Sequence, residues 1–138
     1  MKRQKILFVC NGNRYRSSTA QKLYQRNSDL KVRSLGLVLP FNLNMTAYLS
    51  LKWSERVFVM EPHQMHYLIS RWPKAFETRT INCLHIPNHY AHLDPTLIES
   101  LSESLTPYIG SPVEYPSPSY SKKKANKDYR HNALWMEA

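Results

Sequence analysis

The segment Cys10-Asn11-Gly12-Asn13-Arg14-Tyr15-Arg16-Ser17-Ser18 sets a thiol, a small-residue turn, an arginine and two hydroxyls within one short stretch, in the spacing C-x5-R. A phosphoryl group needs many donors aimed at three anionic oxygens and one electron-rich atom in line with its leaving group. A loop between a strand and a helix supplies both. The backbone N–H groups of Asn11, Gly12, Asn13, Arg14 and Tyr15 converge on an anion, and the free N–H groups and positive dipole end of the following helix add to them. Arg16 closes the ring with a planar guanidinium that takes two phosphate oxygens at once. The same positive field favours the thiolate of Cys10, which then attacks phosphorus to form a covalent intermediate. Ser17 or Ser18 is expected to cap the helix, and the Ser17 hydroxyl to hydrogen-bond the sulfur. A lone cysteine ending a buried strand is more often a small core hydrophobe. Here the strand before it, the turn residues after it and the helical stripe Ala20, Leu23 and Tyr24 favour chemistry over packing.

The elements that must position this loop are legible as an alternation. Strands are expected at Lys5–Cys10, Lys31–Ser34, Arg56–Met60 and Thr80–Ile86, with helical spacing over Thr19–Asn27, Asn44–Lys52 and Pro62–Trp72. Asp94-Pro95 opens a further helix with aspartate at the N-cap, proline at the first helical position and Leu97, Ile98, Leu101 and Leu105 as its apolar face. The pattern predicts an α/β fold, a doubly wound four-stranded parallel sheet flanked by helices. Ligands bind such sheets beyond the carboxyl ends of the strands, so Cys10 and the segment after Ile86 are expected to meet in one cleft.

With 138 residues the chain is the size of one domain, expected over residues 1–110, followed by an extended tail over 111–138 rich in Pro, Ser and Lys, including Lys122-Lys123-Lys124. No stretch reaches the apolar length of a membrane span, and Met1-Lys2-Arg3 leads straight into a strand without a signal-peptide core. The expectation is a cytoplasmic protein without a membrane partner. Two cysteines, Cys10 and Cys83, both in apolar strands, fit reduced thiols, and Cys83 reads as core packing. A formal net charge of +9 attracts phosphorylated partners and other polyanions. No nucleic-acid motif accompanies the charge, so nucleic acid stands as the lesser partner. His63 and His66 form an H-x2-H pair with no third ligand nearby, which gives no metal site, and no cofactor is expected.

These residues resemble the low-molecular-weight protein tyrosine phosphatase family, and more closely a short bacterial branch of predicted tyrosine phosphatases, over about Lys5 to Gly110. The strongest element is Phe8-Val9-Cys10-Asn11-Gly12-Asn13-Arg14-Tyr15-Arg16-Ser17, similar to the family's phosphate loop. Ser34-Leu35-Gly36-Leu37 is similar to its turn after the second strand, and Phe58-Val59-Met60-Glu61 to its Met-Asp at the third strand end. Cys83-Leu84-His85-Ile86-Pro87-Asn88-His89-Tyr90 with Leu93-Asp94-Pro95 resembles a segment of the short branch. The resemblance implies a phosphatase I-like fold, Cys10 as nucleophile, Arg16 as phosphate ligand, Asn13 as keeper of the loop shape and Ser17 as an aid to the thiolate. It places Tyr90 at the mouth, where an aromatic wall can stack on a phosphotyrosine ring.

The chain departs from that family in two places. The aspartate that protonates the leaving oxygen after the fourth strand falls, in register, on Asn88, and an amide cannot act as that acid. His89 is a candidate donor, and Asp94 is another although its use as a helix cap is the plainer one. Tyr15 stands where several family members carry a cysteine that protects the nucleophile. The expectation is therefore a cysteine-dependent phosphatase acting on phosphotyrosine in a protein or on a small phosphate ester through a thiophosphate intermediate on Cys10. The alternative is a catalytically weak or inactive module that binds phosphate or a phosphoprotein. Arsenate reduction on the same fold needs further cysteines near the site, and only Cys83 is present.

Overall fold

The computed structural model describes residues 3–12, 15–37 and 43–112, with backbone alone at 43 and 44. The strands are β1 (Gln4–Asn11), β2 (Leu30–Leu37), β3 (Arg56–Val59) and β4 (Thr80–Cys83), and the helices are α1 (Tyr15–Tyr24), α2 (Leu43–Trp53), α3 (Pro62–Arg71) and α4 (Pro95–Ile109). A short 3-10 turn, Pro73–Glu77, lies between α3 and β4. All pairings are parallel and the order is β2-β1-β3-β4, so the expected α/β sheet is present with β1 inside it.

Ile6, Leu7, Phe8 and Val9 form a continuous apolar run because β1 is buried on both faces, as interior strands of parallel sheets are. Alternation sends Ile6, Phe8 and Cys10 to the face covered by α1 and α4, against Ala20, Leu23, Tyr24, Leu97, Leu101 and Leu105. Leu7 and Val9 face Ala47 and Leu51 of α2 and Leu68 of α3. Cys83, half-buried, packs against this second cluster. Cys10 is the last of the apolar residues of β1 and lies at the carboxyl edge of the sheet.

Three expected elements need corrected boundaries. Helix α1 starts at Tyr15 rather than Thr19 and stops at Tyr24 rather than Asn27, which places Ser17 and Ser18 inside its first turn and not at its cap. The buried residues of that turn are Arg16, Ser17 and Thr19, so it carries no apolar stripe for a periodicity reading to find. Strand β4 ends at Cys83, short of Ile86. Leu84 and Ile86 still donate to Val59 and Met60 carbonyls at 2.8 Å, but His85 between them takes a left-handed φ of 56°, which breaks the extended run. Strand β2 runs from Leu30 to Leu37, well beyond Ser34 at its carboxyl end. The expected tail lies outside the described residues from 113 onward, and the division at Gly110 remains an expectation.

Candidate active site

Cys10 is buried with its Sγ 3.0 Å from the Ser17 hydroxyl oxygen, and the backbone N–H of Ser17 donates to the sulfur at 3.4 Å. The thiol also reaches the carbonyl of Asn11 at 3.3 Å. The sulfur thus sits at the N-terminal turn of α1, where helix N–H groups and the dipole favour negative charge. Asn11 and Gly12 follow it, whereas Asn13 and Arg14, expected as phosphate ligands, lie outside the described residues.

Arg16 is fully buried. Its Nη1 forms an ion pair with Glu61 Oε1 and donates to the Ile86 carbonyl at 2.6 Å. Its Nε and Nη2 are buried with no hydrogen-bond partner among the described residues. These two nitrogens form one edge of the guanidinium, the fork that grips two oxygens of an oxyanion. A buried donor left unpaired costs about 1–3 kcal/mol, so two together on a charged group call for an explanation.

The far wall is built by the entry to α3. Gln64, buried, accepts from the N–H groups of Met60 and Glu61 at 2.9 Å each, and its Nε2 donates to Asn11 Oδ1 at 2.9 Å. His63 Nε2 is 3.2 Å from the same Asn11 oxygen and its Nδ1 is 3.6 Å from Glu61 Oε2. Asn11 is thereby held from α3, and Arg16 from Glu61, the residue that precedes that helix.

The segment after β4 is anchored twice to the first turn of α1. At one end Ile86 accepts from Arg16. At the other, Leu93 N–H donates to Thr19 Oγ1 at 3.0 Å, Thr19 Oγ1 donates to the Tyr15 carbonyl at 2.7 Å, and His92 Nδ1 lies 2.9 Å from Ser18 Oγ. Between the anchors Asn88 and His89 are exposed, and the His89 ring lies on Tyr90 with centroids 4.2 Å apart. Tyr90 is half-buried against the α1/α4 core. The structure brings this arch to the helix turn that holds Cys10. Asp94, just past the second anchor, caps α4, its carboxylate accepting from Thr96 N–H at 2.8 Å.

Glu61, Gln64, Thr19 and His92 were given no role by the sequence. For Glu61 and Gln64 a signal existed in the E-P-x-Q entry to α3, a helix-start pattern whose side chains here reach into the site. Thr19 uses its hydroxyl on backbone atoms and His92 its Nδ1 on the Ser18 hydroxyl, contacts that leave no sequence pattern. Among the described residues no group of three His, Cys, Asp or Glu side chains is placed to hold a metal ion, and no helix is long and apolar enough to cross a membrane.

No protein-family model matches the sequence, and no curated protein matches it either. Among solved structures the chain is similar to the YwlE arginine phosphatase from Geobacillus stearothermophilus, at 16% identity over 97% of this chain and 94% of that one, with a TM-score of 0.46. It is also similar to YfkJ from Bacillus subtilis, at 15% identity over 97% of each chain, with a TM-score of 0.48. A YwlE mutant from Bacillus subtilis stands at 16% identity over 98% of this chain and 99% of that one, with a TM-score of 0.45.

Proposed function

We propose that the chain is a cysteine-dependent phosphatase that hydrolyses phosphotyrosine or a similar phosphate monoester. The observation that carries this reading is the buried Nε–Nη2 edge of Arg16, which has no partner among the described residues, on the same helix turn that holds the Cys10 sulfur. A phosphoryl group set on that edge receives the fork it needs and stands beside a thiolate supported by the Ser17 N–H and hydroxyl. Cys10 sulfur forms a bond to phosphorus as the ester P–O bond breaks, and His89 gives its proton to the departing oxygen. Water, losing a proton to His89, then attacks phosphorus. The S–P bond breaks, and inorganic phosphate and the thiolate remain.

The test is turnover of an aryl phosphate by wild type and by Cys10→Ser, with inorganic phosphate binding measured beside it. Hydrolysis should vanish in the variant while phosphate binding persists. Full activity in Cys10→Ser would overturn the reading.

A second reading rests on Asn88, an amide on the exposed arch where an acid is expected. It takes the chain as a phosphate reader with weak turnover. A gain of 10²-fold or more in Asn88→Asp, the size of a restored general acid, favours it. No gain favours the enzyme with His89 as acid.

A further inference from the structure

A groove of about 500 Å³ lies where the C-terminal ends of α2 and α3 meet the 3-10 turn, and Lys52, Arg71, Lys74 and Arg79 line it around Tyr48 and Trp72. Among the described residues no acidic side chain lines it. Arg79 spends its donors on the carbonyls of Ser54, Lys52 and Ala75, holding the end of α2 while keeping its charge. Lys52, Arg71 and Lys74 are exposed and have no acidic partner among the described residues. Two helix C-termini account for roughly one unit of negative charge, about half a unit each, so most of the positive charge here is uncompensated.

The groove continues into an apolar stripe. Met45, Tyr48, Leu49 and Lys52 share one face of α2 at helical spacing, and Met45, Leu49 and Tyr48 are 63%, 58% and 39% exposed. Because α2 joins two parallel strands, it runs from the carboxyl edge of the sheet back to its amino edge. The stripe therefore leads from the groove, at the end remote from Cys10, toward the end where Cys10 lies. The eleven residues of α2 span about 16 Å at ~1.5 Å per residue.

We propose that this surface docks an acidic segment, with apolar side chains at intervals, of the phosphorylated protein on which the enzyme acts. Its carboxylates meet Lys52, Arg71 and Lys74, its apolar side chains cover Met45 and Leu49, and its phosphorylated residue follows at the Cys10 end. The substrate part of this proposal rests on the phosphatase reading. A nucleic acid has no use for the Met45–Leu49 stripe, and the rings of Trp72 and Tyr48 already carry Arg71 and Lys52 over them, at 5.3 and 5.9 Å from the centroids. A flat bilayer does not enter a concave groove. A second copy would set one basic groove against another across a two-fold axis.

The probe is a fluorescein-labelled peptide of glutamates with leucine at every third or fourth position, followed by anisotropy on the full chain. Binding should weaken at least tenfold in Lys52→Glu/Arg71→Glu/Lys74→Glu and at least threefold in Met45→Ser/Leu49→Ser. In the same variants kcat/KM for a phosphotyrosine peptide carrying the acidic segment should fall by similar factors. Turnover of para-nitrophenyl phosphate, which has nothing to dock, should stay at the wild-type level and certify the fold. Peptide affinity that survives the triple reversal overturns the docking proposal. Oligo(dT), or vesicles of phosphatidylserine, held tighter than the peptide and lost in the triple variant overturn it in favour of nucleic acid or membrane. Peptide binding lost in the variant while wild type turns over no phosphate ester keeps the acidic ligand and overturns the phosphatase reading instead.

Discussion

Arg16 Nη1 donates to the carbonyl oxygen of Ile86 at 2.6 Å, across seventy positions of sequence, and so fixes the first turn of α1 to the point where the chain leaves the fourth strand. The same nitrogen pairs with Glu61. With Nη1 held on one side, the opposite edge of the guanidinium keeps one orientation. The side chain is thus aimed before any anion arrives, which spares binding the entropy of ordering it.

Glu61 is the only acidic partner of Arg16 among the described residues, and its side chain is 27% exposed against a fully buried guanidinium. Breaking a wholly buried pair costs about 3–5 kcal/mol, and partial exposure of the carboxylate reduces that. Glu61→Ala should lower stability by about 2 kcal/mol in urea denaturation, with Glu61→Gln, which keeps an acceptor oxygen, near half of that. Midpoints equal to wild type in both variants would show that Arg16 is positioned without Glu61.

Asp94 and His89 are separated by chemistry that each can and cannot perform. Asparagine caps a helix about as well as aspartate, and alanine does not, so Asp94→Asn should keep both stability and turnover while Asp94→Ala loses about 1 kcal/mol. His89→Gln should slow phenol release from a phenyl ester about 10²-fold or more, yet spare the first-turnover burst of a good leaving group that needs no proton, although the later water step slows for both. A turnover loss in Asp94→Asn with none in His89→Gln would move the acid to Asp94.

The central strand and the α4 start were legible because each rests on one strong local rule. Ile6 to Val9 is apolar throughout because both sheet faces are covered, and Asp94-Pro95 combines a cap with a residue that suits the first helical position. The first turn of α1 was not legible as helix because Arg16, Ser17 and Thr19 are buried there for their polar atoms, which hydropathy reads as loop. The end of β4 was hidden for a different reason. His85-Ile86 looks like strand, and only the left-handed φ at His85 ends it. The ties that close the candidate site, Arg16 to Ile86 and Leu93 to Thr19, use backbone atoms that every residue has, so no residue type announces them.

His85 and Leu93 are the two non-glycine residues with left-handed φ among the described residues, at 56° and 63°, and they bracket the arch that carries His89. That conformation costs about 1–2 kcal/mol for a residue with a Cβ, whereas glycine accepts it at an entropy cost of about 0.5–1 kcal/mol. The His85 side chain is exposed, so little packing is lost with it. His85→Gly should therefore stabilise the fold by about 0.5 kcal/mol. Leu93, 5% exposed, gives the opposite sign, since glycine there removes a core side chain worth about 2–5 kcal/mol. Chemical denaturation of both variants checks the pair, and destabilisation by His85→Gly would mean that its side chain holds the arch.

Among the described residues Tyr24 carries the one clear pH signature. Its phenol, buried against the α1/α4 core, donates to the Gly110 carbonyl at 2.7 Å, and burial pushes its pKa from 10.0 to about 12 against the lowering effect of a hydrogen bond with Thr106. A folded-state value above the unfolded one means that the neutral phenol's contribution is complete below about pH 10. From there it declines as the unfolded chain ionises, and it is lost by about pH 12, where the folded phenol ionises too. Tyr24→Phe has no proton to lose. At neutral pH that variant should be less stable than wild type by about 1 kcal/mol for the missing hydrogen bond. The gap should close as urea midpoints are followed from pH 8 to pH 11, and parallel curves for the two proteins over that range would show that Tyr24 is not the group being titrated.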